Sequence, residues 1–327
     1  MIRTAKKARL TVLLLALCLL VGCTSLAAAP PAGTARYQVA LVAKSTKTDF
    51  WKAVFVGAEA AATEYNLDLT ITGPETEEDY ETQNQMIEEA VENGAQALVF
   101  SAIDYDANAP AIEEAARQGV KIVVIDSAVN SENVATYIGT DNYNAGKMAA
   151  EAALAGVPGT LRVGIVNYDI NSANGQYRER GAMDAFEASG RSEIVATIHT
   201  LAEANSARLD TLDMLREHPE INVLLAFNEP TSVGAAQAVQ EMHLSNALFM
   251  VAFDSNLVTI DALQTGAVDA LVIQNTYEMG YFGVESAYKL LSGQRGEVES
   301  HMDTAARIVD RDNLFALDSQ KVLFPVS

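Results

Sequence analysis

Between Tyr37 and Gln274 the chain alternates short, almost wholly apolar runs with amphipathic stretches of helix length, and this alternation restricts the fold more than any other feature. Tyr37 to Ala43, Leu67 to Ile71, Ala97 to Ser101 and Lys121 to Ile125 read as strands. Phe50 to Tyr65, Tyr80 to Asn93 and Asn108 to Gln118 read as the helices between them, with Gly94 and Gly119 as helix stops. A second series follows. Strands are expected at Arg162 to Val166, Ile194 to Thr200, Ile221 to Phe227 and Leu248 to Phe253, and helices at Gln176 to Ala188, Ser206 to Glu217, Ser232 to Met242 and Asn256 to Gln264. Strands that are apolar throughout, rather than alternately, belong to parallel sheets covered on both faces by their crossover helices.

Two such series imply an α/β chain of two doubly wound, Rossmann-like lobes. The length would also permit a (β/α)₈ barrel. Against the barrel, Val134 to Asp141 reads as a strand with no crossover helix after Ile125, as a connection between lobes would.

The amino-terminal segment is a different kind of sequence. Arg3, Lys6, Lys7 and Arg9 precede the apolar run Leu10 to Val21, which is too short to span a bilayer comfortably and matches the apolar core of a secretory signal. Leu20-Val21-Gly22-Cys23 resembles the bacterial lipobox, whose cysteine is lipidated and becomes the first residue. The plainer reading is a signal cut after one of the alanines at 27 to 29. Residues 1–23 are thus expected to be a lipoprotein signal peptide, with Cys23 as the lipidation site. Residues 24–36, small and proline-containing, suit a flexible tether.

Composition excludes several classes. With 43 Asp and Glu against 22 Lys and Arg, a net charge of −21, the chain lacks the cationic face a nucleic-acid binder needs. Cys18 and Cys23 are the only two cysteines, so zinc ribbons, iron–sulfur clusters and disulfide scaffolds are out. An acidic body avoids anionic lipid, which leaves the acyl chains to hold it at a membrane.

In open α/β sheets, ligands collect beyond the carboxyl ends of the strands. Polar residues stand at those ends here: Lys44 to Asp49 followed by Phe50 and Trp51, then Asp126-Ser127, Asn228-Glu229, Asp254-Ser255 and Gln274-Asn275. Asp49, Asp126, Asn228 and Asp254 each also suit a helix cap or a turn. Taken together, the set suits a small polyhydroxylated molecule: carboxylates accept from hydroxyls, amides and guanidinium donate, and Trp51, Phe50 and Phe253 offer flat faces to C–H groups. The alternative for Phe50 and Trp51 is packing on the first helix. The acidic stretch Glu75 to Glu81 reads as a solvated helix start, since acids favour the positive end of a helix dipole. Tyr105 to Ala109 stands where it would help line a cleft mouth.

VALVAKSTKTDFW, KIVVIDS, YIGTDNYNAGKMAAEAAL, QYRERGAMDAF, HPEINVLLAFNEPTSVGAAQAV and MVAFDSN together resemble bacterial periplasmic binding proteins of the ribose/galactose type, the solute receptors of ABC sugar importers. The resemblance covers nearly all of residues 37–327. It implies the type 1 fold, two lobes joined by a three-strand hinge that close on a ligand. Crossings are expected near Gly139-Thr140, Gln274-Asn275 and Asp303-Thr304. The amino-terminal lobe would comprise 37–139 plus 275–303, and the carboxy-terminal lobe 140–274 plus 304–327.

Carried over by position, the resemblance marks Lys44, Thr48, Phe50 and Trp51 as ligand-facing, and Asp126 as the sugar-binding aspartate with Ser127 beside it. It assigns Arg180 in QYRERG to the ring oxygen or hydroxyls, with a pair to Asp184 as the alternative. Asn228, Phe253, Asp254 and Gln274 also fall on binding positions, and Glu203 stands where an aromatic is often found. A ribose binder would be expected to have an arginine after Asp126, where this chain has Ser127. Lys44 and Glu203 add charges that a neutral pentose does not require. A different sugar, a polyol or a sugar-like signal such as autoinducer-2 stays open.

The expectation is an extracytoplasmic, lipid-anchored, monomeric receptor that delivers a sugar or polyol to an ABC permease. The alternative presents its ligand to a membrane kinase or chemoreceptor. No catalytic residue, cofactor or metal site is expected: the sequence has no G-x-S-x-G, H-E-x-x-H, P-loop or G-x-G-x-x-G, and its four histidines are scattered. A carbohydrate-active enzyme built on Asp126 and Asp254 is the remaining alternative.

Overall fold

The computed structural model describes residues 36–324. The signal with Cys23, and the tether as far as residue 35, lie outside the described residues.

The first sheet is built from β1 (Gln38–Val42), β2 (Asp68–Thr72), β3 (Ala97–Phe100), β4 (Lys121–Ile125), β5 (Val134–Thr140) and β11 (His301–Thr304). Their order is β11-β5-β4-β3-β1-β2, and every pair is parallel. Both faces of its central strands are covered. In β1, Val39 and Leu41 enter one core while Ala40 and Val42 enter the other, as a period-2 strand requires. The first core is closed by α1 (Asp49–Glu64) and α9 (Thr276–Leu291), the second by α2 (Tyr80–Glu92) and α3 (Ala109–Arg117). Each fully buried Val, Leu or Ile in these strands contributes about 1.5–3 kcal/mol.

The second sheet has the order β12-β10-β9-β8-β6-β7. It comprises β6 (Leu161–Asn167), β7 (Ser192–His199), β8 (Val223–Ala226), β9 (Phe249–Phe253), β10 (Ala270–Ile273) and β12 (Arg307–Asp310), and only β12 runs antiparallel. One face carries α4 (Asn142–Gly156) and α5 (Ala173–Ser189). The other carries α6 (Ala204–Glu217), α7 (Glu229–Glu241) and α8 (Leu257–Thr265), and α10 (Leu317–Leu323) closes the chain. The chain passes between the sheets three times: from β5 into α4, from β10 into α9, and between β11 and β12.

Of the two helices that follow the first two crossings, α4 carries no broad apolar stripe in the sequence, whereas α9 turns Met279, Val284 and Leu290 inward. The buried face of α4 is Ala145, Gly146, Ala149, Ala150 and Ala153, small residues that leave little periodic signal. Small residues are needed because the helices touch backbone to backbone. A β-carbon on Gly146 would overlap the carbonyl of Arg178 in α5, and one on Gly181 would overlap that of Tyr143 in α4. On the first sheet, Gly280 of α9 meets Val54 of α1 in the same way. These contacts fix the rotation and height of α5, and with it the residues α5 turns inward.

Candidate ligand-binding site

The carboxyl ends of both sheets face each other across a cleft, and the lobes are closed over it. Lys44 Nζ, after β1, donates to Ser172 Oγ at 2.9 Å, just before α5. Asn174 Nδ2 donates to Asp126 Oδ1 at 3.1 Å. At the start of α1, Phe50 N donates to Glu229 Oε2 at 2.8 Å and Asp49 N to Glu229 Oε1 at 3.3 Å. Ala202 N donates to Glu78, and Tyr105 N donates to Asn171 O at 3.0 Å.

Between them is a narrow space, walled by Lys44, Thr48, Phe50, Trp51, Glu77, Asp126, Tyr168, Asn174, Arg178, Asn228, Glu229, Pro230, Asp254 and Gln274. Local sequence explains how they arrive. Thr48 caps α1, its Oγ1 accepting from Trp51 N at 3.3 Å, which turns Phe50 and Trp51 towards the cleft. Asn228 caps α7 in a reciprocal box with Thr231. Asp126 and Asp254, each directly after a strand, adopt left-handed backbone with φ of 56° and 64°. Aspartate tolerates this region better than most side chains, yet two such residues at buried strand ends mark positions held by function or by strong local constraint.

Arg178 is the centre of the arrangement. It is 1% exposed, and its Nε donates to Asn142 Oδ1 at 2.8 Å, Nη1 to Phe227 O at 2.6 Å and Nη2 to Gln274 Oε1 at 2.8 Å. The guanidinium lies 4.7 Å from the Phe253 ring centroid. Gln274 in turn accepts from Thr140 Oγ1 at 2.9 Å and donates to Asp254 Oδ1 at 2.8 Å. Lys44, also buried, pairs with Glu77 at 3.3 Å and lies over the Tyr168 ring, and Trp51 Nε1 donates to Glu77 Oε1 at 2.9 Å.

Burial pushes the Asp254 carboxyl up to about 7, opposed by the Arg178 charge and the Gln274 hydrogen bond. Burial also raises Asp126, opposed by the Lys44 and Arg178 charges, and raises Glu229, opposed by the bonds from Asn256, Phe50 and Asp49.

The structure brings together Lys44, Thr48, Phe50, Trp51, Asp126, Asn228, Asp254 and Gln274, and it corrects four other expectations. Arg180 is exposed on α5 and Arg178 takes the inward position. The buried face of α5 is Ala173, Asn174, Gly175, Arg178, Gly181, Ala182 and Phe186, a helical spacing that includes 178 and leaves out 180. Glu203 is exposed at the start of α6, and the backbone beside it, Ala202 N, makes the contact across the cleft. Ser127 is buried behind the wall, its N–H donating to Ile125 O at 2.7 Å. Phe253 points into the core against Phe227 and supports Arg178 from behind.

The acidic stretch is more than a solvated helix start. Asp79 does cap α2, accepting from Thr82 N at 2.9 Å. Glu77, however, is buried on Lys44 and Trp51, and Glu78 reaches across the cleft. A buried lysine and an indole N–H both need acceptors, and that need was the available signal. Tyr168 and Asn174 stand just past β6 and were equally open to the strand-end argument.

Among the described residues, no three or more His, Cys, Asp or Glu cluster as a metal site would require. Two parallel-sheet lobes closing at their strand ends on an arginine and two aspartates define a clamp for a small polar solute. A family model described as a periplasmic binding protein domain matches residues 39–295, and the chain belongs to that family.

The chain is 28% identical over 270 residues to the D-ribose/D-allose-binding protein of Pseudomonas aeruginosa, covering 80% of this chain and 84% of that one. It superposes with a TM-score of 0.85 and 27% identity on a carbohydrate transporter solute binding protein from Agrobacterium radiobacter in complex with D-arabinose, covering 89% and 99% of the two chains. An ABC transporter solute binding protein from Agrobacterium vitis with bound D-fucose gives 0.84 at 28% identity, covering 88% and 99%. The chain is therefore a solute-binding protein and not an enzyme, with the extracytoplasmic location its family implies.

Proposed function

We propose that this chain is the receptor of an ABC importer and captures a sugar or sugar-like polyol by closing its two lobes at a hinge. The observation that carries this reading is the meeting of Asp126, Arg178 and Asp254, from both lobes, around one narrow space at the strand ends. Carboxylates accept from hydroxyls and a guanidinium donates to ring or hydroxyl oxygens, while Phe50 and Trp51 add apolar faces. A solute lacking one hydroxyl would leave a buried group unpaired at about 1–3 kcal/mol, which gives such a site its selectivity. The relatives named for ribose, allose, arabinose and fucose support a monosaccharide-sized ligand.

In this reading the ligand contacts come from Lys44, Thr48, Phe50, Trp51, Asp126, Asn228, Asp254 and Gln274, joined by Arg178, Glu77, Tyr168 and Asn174. The amino-terminal lobe is 37–139 plus 275–303 and the carboxy-terminal lobe is 140–274 plus 304–327. Closure presents the joined outer surfaces to the permease, which must prefer that shape to the open one. Acyl chains on Cys23 hold a monomer at the membrane, with 24–36 as tether.

A thermal-shift screen against pentoses, hexoses and polyols tests the reading. A ligand at 100 times its Kd adds about 2.7 kcal/mol of stability, enough to move the melting temperature by several degrees. A hit recovered chemically unchanged supports the receptor, and silence across the panel contradicts the carbohydrate assignment.

A further inference from the structure

The walls of the cleft carry four carboxylates, Glu77, Asp126, Glu229 and Asp254, and two cations, Lys44 and Arg178. Buried charges persist where a partner or several hydrogen bonds answer them, so the distribution of partners shows what is missing. Glu77 has Lys44. Glu229 has the first N–H groups of α1 and Asn256 Nδ2, an anion at the positive end of a helix.

Arg178 directs its three hydrogen bonds to neutral oxygens of Asn142, Phe227 and Gln274. Asp126 and Asp254 are left without an ion pair among the described residues. Asp126 accepts from Ser101 Oγ and Asn174 Nδ2, both neutral. Asp254 accepts only from Gln274, at Oδ1, and no hydrogen bond among the described residues reaches its Oδ2. The two carboxylates line the same space.

A second group points the same way. Asn228 is 7% exposed and lines the cleft. Its Oδ1 is taken by Thr231, while its Nδ2 has no hydrogen-bond partner. The walls thus carry two more carboxylates than cations, and Asn228 Nδ2 faces the cleft with no acceptor.

Building on the carbohydrate reading above, we propose that the solute is an amino sugar or amino polyol, whose ammonium answers Asp126 and Asp254 while one of its hydroxyl oxygens accepts from Asn228 Nδ2. An –NH₃⁺ supplies three donors and one positive charge, where a hydroxyl in the same place supplies one donor and none. The ribose, allose, arabinose and fucose of the relatives are neutral sugars, so an ammonium-bearing solute would set this chain apart from them.

The test uses matched probes that differ only in an ammonium for a hydroxyl: glucosamine with glucose, galactosamine with galactose, and glucamine with glucitol. Each is titrated calorimetrically into the full chain at neutral pH. The amino member of at least one pair is expected to bind tenfold or more tightly than its neutral partner, and Asp254→Asn is expected to abolish that ratio.

If the variant does not fold, the wild-type pH profile gives an independent reading. An ammonium ligand needs Asp254 ionised against Arg178 from α5, Glu229 from α7, Asp126 after β4 and Gln274 after β10. Glucamine affinity should therefore fall as pH drops below about 7, whereas glucitol affinity should not. Equal or tighter binding by the neutral member of every pair overturns the inference and leaves the carbohydrate reading standing. Binding by no member overturns the inference, and the carbohydrate reading falls with it only where the pentose, hexose and polyol screen is silent as well.

Discussion

Lys44 Nζ and Ser172 Oγ, 2.9 Å apart and both buried, join the end of β1 in one lobe to the start of α5 in the other, and the same ammonium is paired with Glu77 at 3.3 Å. A lysine is thus tied to both halves of the clamp: Glu77 of the first pairs with its charge, and the Tyr168 ring of the second lies beneath it. Lys44→Met removes the bond across the cleft and leaves Glu77 as a buried carboxylate with only the Trp51 indole as donor.

Breaking a buried pair in this way is expected to cost about 3–5 kcal/mol. Replacing both partners, with Lys44→Met and Glu77→Gln, should recover a large part of that cost, because no unanswered charge remains. A double-mutant cycle by urea denaturation measures the coupling, and additive single effects would show that the pair is not coupled.

Arg178 and Arg180 separate the inward face of α5 from its exposed face. Arg178→Ala removes three hydrogen bonds and a cation over Phe253, and is expected to weaken carbohydrate binding by at least a hundredfold. Arg180→Ala should change affinity by less than about twofold, as an exposed substitution away from the contact does. Titration of both variants with the strongest sugar of the screen distinguishes them. The reverse order of effects would mean that α5 is rotated in solution.

Asp254 makes stability depend on pH. Its carboxyl is raised from 3.8 to about 7 by burial, so the folded chain holds a proton there that the unfolded chain has released. The stability this contributes is fully present below about 3.8 and is lost as pH rises through about 7. Asp254→Asn, which cannot ionise, should leave the closed protein relatively more stable than wild type at pH 8 than at pH 5. The comparison is the difference between the two melting profiles, since other carboxylates titrate in both chains. A constant difference across that range would refute a raised Asp254.

Gly146 carries the position of Arg178 at one remove. A methyl there would meet the Arg178 carbonyl, so Gly146→Ala must push α4 and α5 apart. A cost of about 1–3 kcal/mol is expected from overpacking. Because the displaced segment bears Asn174 and Arg178, sugar affinity should fall as well, measurable in the same titrations. Gly119→Ala is the comparison: nothing lies within 4 Å of its β-position, but its φ of 94° strains the backbone, so it should cost stability with affinity preserved.

The central strands were legible because parallel strands buried on both faces leave runs such as Ala97 to Phe100 with no polar interruption, whereas the partly exposed edge strands β11 and β12 leave no such run. Helix α4 left a weaker trace, since backbone-to-backbone packing there selects Gly and Ala instead of a stripe of large side chains. At the site, residues directly after a strand, such as Asp126 and Asp254, could be found by position alone. Arg178 could not be placed that way, because its side depends on the rotation of α5 and that rotation is set by Gly146 and Gly181 on a neighbouring helix. Glu77 was hidden for a related reason. An acidic run before a helix looks the same in sequence whether its side chains meet water or a buried lysine.

A solute held between Asp126, Arg178 and Asp254 is what a receptor role for this chain requires. Trp51, the only tryptophan in the chain, lines that space and reports on it through its emission. The measurement is a fluorescence titration of wild type and Asp126→Ala with the sugars and polyols that pass the thermal-shift screen. A saturable one-site change is expected in wild type and is lost in the variant. A saturable change that survives unaltered in Asp126→Ala would put the ligand elsewhere and contradict the central claim.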